Sequence, residues 1–336
     1  MELSYCVVNT NARELLLTCL EAIRRTHPPG VDHEVLVLDN ASDDGSAAAV
    51  AERFPDVRII ARERRAGLAE NNSLLLREAR GRFCLLLNED TEILEGAVEA
   101  LLEALRASPE AAVAGAQLLD TDRNPIPCAW RFPGLGMALA QALFLHRWIV
   151  TQSGRPTRHG APPEVGWVQS CAMLVRRRAA EEVGYLDPDF FVYSEEVDLQ
   201  KRMHDAGWRI LYVGAARAIH REQLATDRSA GARRRVVQFH RGRATYMRKH
   251  HSSPVAMLTR VLWAWSYVPR AVAALIMSGH DPGWYWLHAR CALRPTRGEG
   301  MREAAETYNL HLAATAARDR AQDQVPGRSS SRATAS

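Results

Sequence analysis

Three short groups of polar residues in this 336-residue chain have the types and spacing to do chemistry. The first is Asn88, Glu89 and Asp90, which end the wholly apolar run Phe83–Leu87. Two adjacent carboxylates at the mouth of such a run repel each other, and a hard divalent cation relieves the repulsion. Mg²⁺ takes one or two carboxylates and completes its shell with phosphate oxygens. The same residues also read as a polar turn ahead of a helix near Glu92, and the run alone does not choose between the two. The second group is Glu195, Glu196 and Asp198, three acids within four residues at a helix start. They either complement the helix dipole, at about 0.3–1 kcal/mol each, or supply a general base. In that second reading Phe190, Phe191 and Tyr193 keep water away and raise a carboxyl pKa. The third group is Asn9, Thr10 and Asn11 with Asp39 and Asn40, each set following a short apolar run. Asp39 is placed to accept from a base N–H or a ribose hydroxyl, as acids after a second strand do in nucleotide-binding folds. His220 closes a later strand-like run and reads as either a structural histidine or a metal ligand.

These groups need a scaffold, and the apolar pattern supplies one. Ser4–Val8, Glu34–Leu38, Val57–Ala61, Phe83–Leu87 and Ala111–Leu118 read as short strands, Glu34–Leu38 as a buried one and Phe83–Leu87 as buried on both faces. Between them 13–25, 46–53, 71–80 and 95–107 carry apolar residues at helical spacing. Strands and helices alternating at this length predict an α/β fold with a mostly parallel, doubly wound central sheet. The ends of consecutive strands then share one edge, bringing Asn9–Asn11, Asp39–Asn40 and Asn88–Asp90 together. Regularity falters from Asp120 to Pro163, around one apolar helix over 135–150. Residues 165–175 read as a strand, and 195–206 as a helix with Ser194 as N-cap and Gly207 after its end. A strand follows from Trp208, and beyond His220 the chain is helical and basic.

Composition narrows the classes. A net charge of +4 argues neither for nor against nucleic acid, and no aromatic–basic recognition motif is present. Neither GxGxxG nor GxxxxGK[ST] occurs, so the loops are not those of a dinucleotide or P-loop fold. The six cysteines are scattered without a CxxC pair, mostly in apolar runs, which predicts free thiols and a reducing cytoplasm. No signal peptide is evident ahead of the first strand. The stretch from Val255 to Met277 is apolar but broken by Arg260, Pro269 and Arg270, so it falls short of a spanning helix. Arg233, Arg234, Arg235, Arg241, Arg243, Arg248 and Lys249 lie ahead of Trp263 and Trp265. That combination suits either an interfacial segment on anionic lipid or a buried helical subdomain with a solvated rim.

In order along the chain, VVNTNARELLLTCL, VLVLDNASDDGS, GLAENN, LLLNEDTEI and FFVYSEEVDLQKRMHDAGWRILYVGAARAIH resemble the inverting family-2 glycosyltransferases, in their rhamnosyltransferase-like bacterial branch. The match runs from about Ser4 to His220. It implies a GT-A fold over residues 1–222, with a nucleotide-sugar half at 1–120 and an acceptor half at 121–222. A basic and apolar helical extension over 223–320 and a disordered tail over 321–336 would follow. The resemblance places Asn9, Thr10 and Asn11 at the base and ribose, Asp39 on the base, and Asn40, Gly67 and Asn72 in the nucleotide loops. Asn88-Glu89-Asp90 takes the DXD position, with Asp90 and His220 on a divalent metal, Mg²⁺ or Mn²⁺. Glu196 becomes the catalytic base, with Glu195, Asp198 and Trp167 on the acceptor side.

Four positions depart from the family pattern. Thr10 stands where tyrosine is common, Arg65 where asparagine is, Glu196 where aspartate is frequent, and Ser170-Cys171 where a Gly-Ala pair is expected. The implied activity is inverting transfer from a nucleotide-diphosphate sugar to a glycan or lipid-linked hydroxyl in cell-surface polysaccharide synthesis. The implied place is the cytoplasm, peripheral on the inner face of the membrane, with no nucleic-acid partner. Competing readings are a catalytically silent module of the same fold and a nucleotidyltransferase. The latter would want a glycine-rich, Lys/Arg-containing first loop, which Asn9–Arg13 does not supply.

Overall fold

The computed structural model describes residues 1–145, 152, 161–221 and 230–323. The nucleotide half is built from β1 (Leu3–Asn9), α1 (Arg13–Thr26), β2 (His33–Asp39), α2 (Ser46–Arg53), β3 (Arg58–Ala61), α3 (Leu68–Glu78) and β4 (Phe83–Asn88). There follow β5 (Thr91–Ile93), α4 (Ala97–Ala107), β6 (Ala111–Leu119), β7 (Ala129–Trp130) and α5 (Leu135–Ala142). Next come β8 (Trp167–Val168), β9 (Ala172–Arg176), α6 (Arg177–Glu182), α7 (Glu195–Asp205) and β10 (Arg209–His220). Four helices complete the described chain: α8 (Ala230–His250), α9 (Ser253–Ala273), α10 (Pro282–Leu293) and α11 (Met301–Asp323).

The main sheet has eight strands in the order β3-β2-β1-β4-β9-β6-β10-β5. Strands β3, β2, β1 and β4 are mutually parallel, as are β6 and β10, while β9 and β5 run antiparallel to their neighbours. The expectation of a mostly parallel sheet therefore holds. Burial on both faces, foreseen for Phe83–Leu87, holds: β4 is buried up to Asn88, and β1, β6 and β9 are buried along their whole length. Register does the positioning. Asn9 pairs with Asp39 across β1 and β2, and Val8 pairs with Asn88 across β1 and β4, so the three polar strand ends sit level on one edge.

Several expectations are corrected. Residues 165–175 are not one strand. Trp167 and Val168 leave the main sheet to pair with Ala129 and Trp130 in a small second sheet, and the main-sheet strand begins only at Ala172. Nor is the segment after Asp90 the start of a helix, because Thr91–Ile93 adds an edge strand on β10. Ser194 is not a side-chain cap; it lies at φ +74°, directly after Tyr193 at φ +70°. The helix at 135 ends at Ala142, and residues 146–150 of the expected span lie outside the described residues. The expected tail begins inside α11, and its residues 324–336 also lie outside the description.

The carboxyl-terminal helices are tied into the α/β body. Gly242 of α8 presses on the Tyr193 carbonyl so closely that a Cβ there would lie 2.2 Å from the oxygen. The sequence set Trp263 and Trp265 together, but the fold separates them. Trp263 is buried under the Arg243 guanidinium, 3.6 Å from its ring centre, while Trp265 is exposed. No helix among the described residues is long and apolar enough to cross a membrane.

Candidate active site

The nucleotide edge is a lattice of amides and carboxylates. The buried Asn9 amide donates to Asp39 Oδ1 at 3.0 Å and to Ser42 Oγ at 3.1 Å. Asp39 Oδ2 accepts from the Ser42 backbone N–H. The Asn40 amide donates to Thr10 Oγ1 and to the Ala66 carbonyl, and its own carbonyl accepts from the Ala66 N–H. Thus Asn40 holds the 62–67 loop against the first strand end. Asn11 adopts φ +52° and bonds Asp43 in both directions. Side-chain amides and carboxylates suit this work because they satisfy backbone and side-chain groups in loops that lack ladder partners.

Gly67 has a positional reason. A Cβ there would come within 2.5 Å of the Phe191 carbonyl, and the next N–H, from Leu68, donates to that same oxygen at 2.6 Å. The nucleotide loop and the loop ahead of Glu195 are therefore pinned together. Asn72 lies on the buried face of α3.

At the end of β4, Asp90 Oδ2 lies 3.3 Å from His220 Nε2, and both residues are more than nine-tenths buried. The β5–β10 pairing sets His220 against Thr91, which is what brings the imidazole beside Asp90. Cys171 completes the cluster: its Sγ lies 3.4 Å from His220 Nε2 and accepts from the Asn88 amide at 3.3 Å. Burial works against a charged imidazole, but Cys171 and Asp90 beside it outweigh burial and raise His220 to about 11. Among the described residues no three His, Cys, Asp or Glu side chains are arranged to hold a metal ion unaided. Asp90 and His220 could hold a cation that draws its other ligands from a bound diphosphate, the habit of Mg²⁺, only once the imidazole has given up its proton.

Glu195 and Glu196 open α7 immediately after the two left-handed residues Tyr193 and Ser194. Such backbone costs roughly 1–2 kcal/mol per residue and persists only where packing enforces it; here Gly242 lies against Tyr193. Glu195 is sealed, at 2% exposure, whereas Glu196 is only half-buried. Burial, then the neighbouring Glu196, pushes the Glu195 carboxyl well above the usual range. Burial pushes Glu196 up to about 7, against the pull of backbone N–H groups at the helix start. One oxygen of each, Oε2, is buried without a hydrogen-bond partner. Burial pushes the Cys171 thiol up, and the charges of Asp90 and Glu196 push the same way, so Glu196 lies within electrostatic range of the Asp90 cluster.

Asp198 was expected on the acceptor side, and the fold gives it other work. Its fully buried carboxylate accepts from Arg202 on the next turn and from Lys249 and His250 on α8. Burial alone would raise its pKa; these partners hold it below the usual carboxylate range instead. Trp167 stacks on Trp130, ring centres 4.4 Å apart, and both remain partly exposed.

Sequence reading missed four participants. Cys171 was noted only as a departure from a small-residue pair, and Trp130 was not singled out. Tyr308 and Asn309, from α11, reach the nucleotide edge more than 240 residues away in sequence. Nothing in the local pattern of α11 marks them, since only the packing of that helix against the 62–67 loop brings them there.

The description "Glycosyl transferase family 2" matches residues 4–184. An N-acetylglucosaminyl-diphospho-decaprenol L-rhamnosyltransferase of Mycobacterium tuberculosis is 30% identical over 233 residues, 65% of this chain and 75% of that protein. The O-antigen biosynthesis protein RfbC of Myxococcus xanthus is 24% identical over 197 residues, 57% of this chain and 15% of that protein. Among solved structures, the mannosyltransferase PcManGT of Pyrobaculum calidifontis, in complex with GDP-Man and Mn²⁺, superposes with a TM-score of 0.53 at 19% identity. That match covers 95% of this chain and 87% of the other. GalNAc-T7 with UDP, GalNAc and Mn²⁺ gives 0.54 at 14% identity, covering 93% of this chain and 58% of that one. At these identities the structures speak to the fold alone, which is that of GT-A enzymes. The family match and the curated relative go further: this chain belongs to glycosyl transferase family 2 and is a rhamnosyltransferase-like glycosyltransferase.

Proposed function

We propose that this enzyme transfers a sugar, L-rhamnose in this reading, from a nucleoside-diphosphate donor to a hydroxyl of a diphospholipid-linked N-acetylglucosamine, with inversion, in cell-envelope polysaccharide assembly. The sugar and acceptor follow the activity of the 30% identical relative. The reading is supported by one observation: Cys171, in contact with His220 and Asn88 at the Asp90 end of the site, also lies within electrostatic range of Glu196.

In this mechanism Asn9, Thr10, Asn11, Asp39, Asn40, Gly67 and Asn72 form the walls and loops that seat the nucleoside. Asn88, Glu89 and Asp90 take the diphosphate side. A divalent cation, Mg²⁺ or Mn²⁺, held by Asp90 and His220 would supply electrostatic stabilisation to charge gathering on the leaving diphosphate. Glu196 takes the proton from the acceptor hydroxyl. As that oxygen bonds to the anomeric carbon, the bond to the diphosphate oxygen breaks and the nucleoside diphosphate leaves from the opposite face. Glu195, sealed behind Glu196, keeps a second carboxyl close and favours a shared proton in the resting pair. Trp167, stacked on Trp130, offers the flat apolar surface on the acceptor side.

The test is a panel of nucleotide sugars incubated with a short-chain diphospholipid-linked N-acetylglucosamine, with Mn²⁺, with Mg²⁺ and with chelator. Product anomers are read by NMR. Metal-dependent transfer of one sugar with inverted configuration is expected. Donor binding without turnover under every condition would leave a silent binding module, and retention of configuration would overturn the single-displacement mechanism.

A further inference from the structure

The helices beyond the catalytic body carry their polarity inside out. On α9 the buried side is small or polar: Ala256, Thr259, Ala264 and Ser266, with Trp263 as its one large residue. Thr259 and Ser266 satisfy their hydroxyls on the helix's own carbonyls, so the buried face needs nothing from its neighbours. The outward side bears Leu258, Val261, Trp265 and Val272. The turn after it carries Leu275 at 70% exposure and Ile276 at 90%. A helix facing water normally does the reverse.

The pattern is concentrated in one place. Fifteen of the seventeen exposed large apolar residues among those described fall within 135–145 or 257–293. Helices α5, α9 and α10 pack together, so these residues make one surface, larger than the scattered apolar exposure of ordinary monomers. These two segments carry a single acid, Asp281, whose carboxylate caps α10 by accepting from the Gly283 N–H. No Asp or Glu occurs between Asp122 and Glu164, between Asp227 and Asp281, or between Asp281 and Glu299. Arginines do occur there. Arg260 and Arg270 lie along the helices, with Arg260 donating to carbonyls at the end of α10 and Arg270 over the Phe144 ring.

We infer that the α5–α9–α10 face docks on an anionic lipid bilayer, with Leu275 and Ile276 entering the acyl region and the arginines meeting the headgroups. The charge argument selects this occupant. A two-fold contact between two copies would set this arginine-bearing face against itself with Asp281, already occupied in capping α10, as its one acid. An anionic bilayer offers apolar depth and negative charge together. The inference rests on this surface and is independent of which sugar is transferred, although a lipid-linked acceptor would be met there.

Flotation of the full-length protein with vesicles of equal parts phosphatidylglycerol and phosphatidylcholine tests it. The wild type is expected to float with these vesicles, less so with phosphatidylcholine alone, and less at about 0.5 M salt. Leu275→Glu/Ile276→Glu is expected to cut the bound fraction about tenfold or more. Leu310→Glu, at an equally exposed apolar residue on α11, should float like the wild type. Metal-dependent hydrolysis of the nucleotide-sugar donor without vesicles should be the same in all three. Failure of the wild type to float overturns the inference, as does equal loss in Leu310→Glu. A vesicle-free dimer by light scattering that Leu275→Glu/Ile276→Glu dissolves would also overturn it, assigning the face to a second copy. Flotation without donor turnover would leave this inference standing and count against the catalytic reading instead.

Discussion

Tyr308 and Arg65 close the nucleotide edge from opposite ends of the chain. The Arg65 guanidinium lies 3.4 Å from the Tyr308 ring centre, and the Tyr308 hydroxyl donates to Asp43 Oδ2 at 3.0 Å. Asn309 clasps the Arg65 backbone on both its N–H and its carbonyl. Two Arg65 nitrogens, Nε and Nη2, are buried without a hydrogen-bond acceptor, with the guanidinium against the Tyr308 ring. The family's usual aromatic at the first loop is Thr10 here, and the aromatic ring at this edge comes from α11. Tyr308→Phe keeps the ring and removes the hydroxyl bond to Asp43. Nucleoside-diphosphate affinity by calorimetry is expected to fall severalfold in Tyr308→Phe and further in Tyr308→Ala and Arg65→Ala. Unchanged affinity in all three would place α11 outside donor binding.

Glu196 is the proton acceptor in the proposed mechanism. Glu196→Gln is expected to lower kcat by roughly 10²–10⁴-fold and to leave donor affinity intact. Because the carboxyl is pushed up to about 7, the wild-type rate should climb with pH through that value and then level. Near-normal transfer by the Gln variant would remove Glu196 from the chemistry.

The same elevation has a cost in stability, with a definite sign. A carboxyl whose pKa is higher folded than unfolded binds more protons in the native state across the interval between the two values. Its stabilising effect is full below the unfolded value near 4.5 and is lost as pH rises to about 7 for Glu196, with Glu195 shifted the same way. Glu195→Gln should therefore raise Tm at about pH 8 and change it little at about pH 5. A Tm gain of equal size at both pH values would show that the burial argument is wrong.

Asp90→Asn and His220→Ala test the cation site without reference to the acceptor. Each is expected to weaken Mn²⁺-dependent thermal stabilisation by donor nucleotide, read as the Tm shift with and without metal. The shift seen without metal should persist. A full metal effect in both variants would exclude the pair as ligands.

Asp198→Asn should act on folding and not on chemistry. Its buried carboxylate faces Arg202, Lys249 and His250, and removing one member of such a cluster leaves the others uncompensated, at about 3–5 kcal/mol. Denaturant unfolding is expected to show that loss while kcat of the folded fraction stays near wild type. A stable variant with low kcat would return Asp198 to the active site.

The sequence by itself determined the α/β scaffold and its polar edge. Apolar runs such as Phe83–Leu87 admit few structures other than strands buried on both faces, and the first amides and acids after them must lie at strand ends. The acids at 195–198 were legible as a helix start for the same local reason. The tertiary structure decided which of these groups meet. Asp198 shares a helical turn with Glu195, yet a helix turns each residue about 100° from the last, so it faces α8 while Glu196 stays partly open. Cys171 joined the site because an antiparallel strand enters the sheet beside β4, which no periodicity announces. Tyr308 came to the nucleotide edge, and the exposed side of α9 became visible, only once the carboxyl-terminal helices had packed. Contacts between segments hundreds of residues apart depend on shape complementarity across the whole fold, and a local pattern of residues carries no record of that.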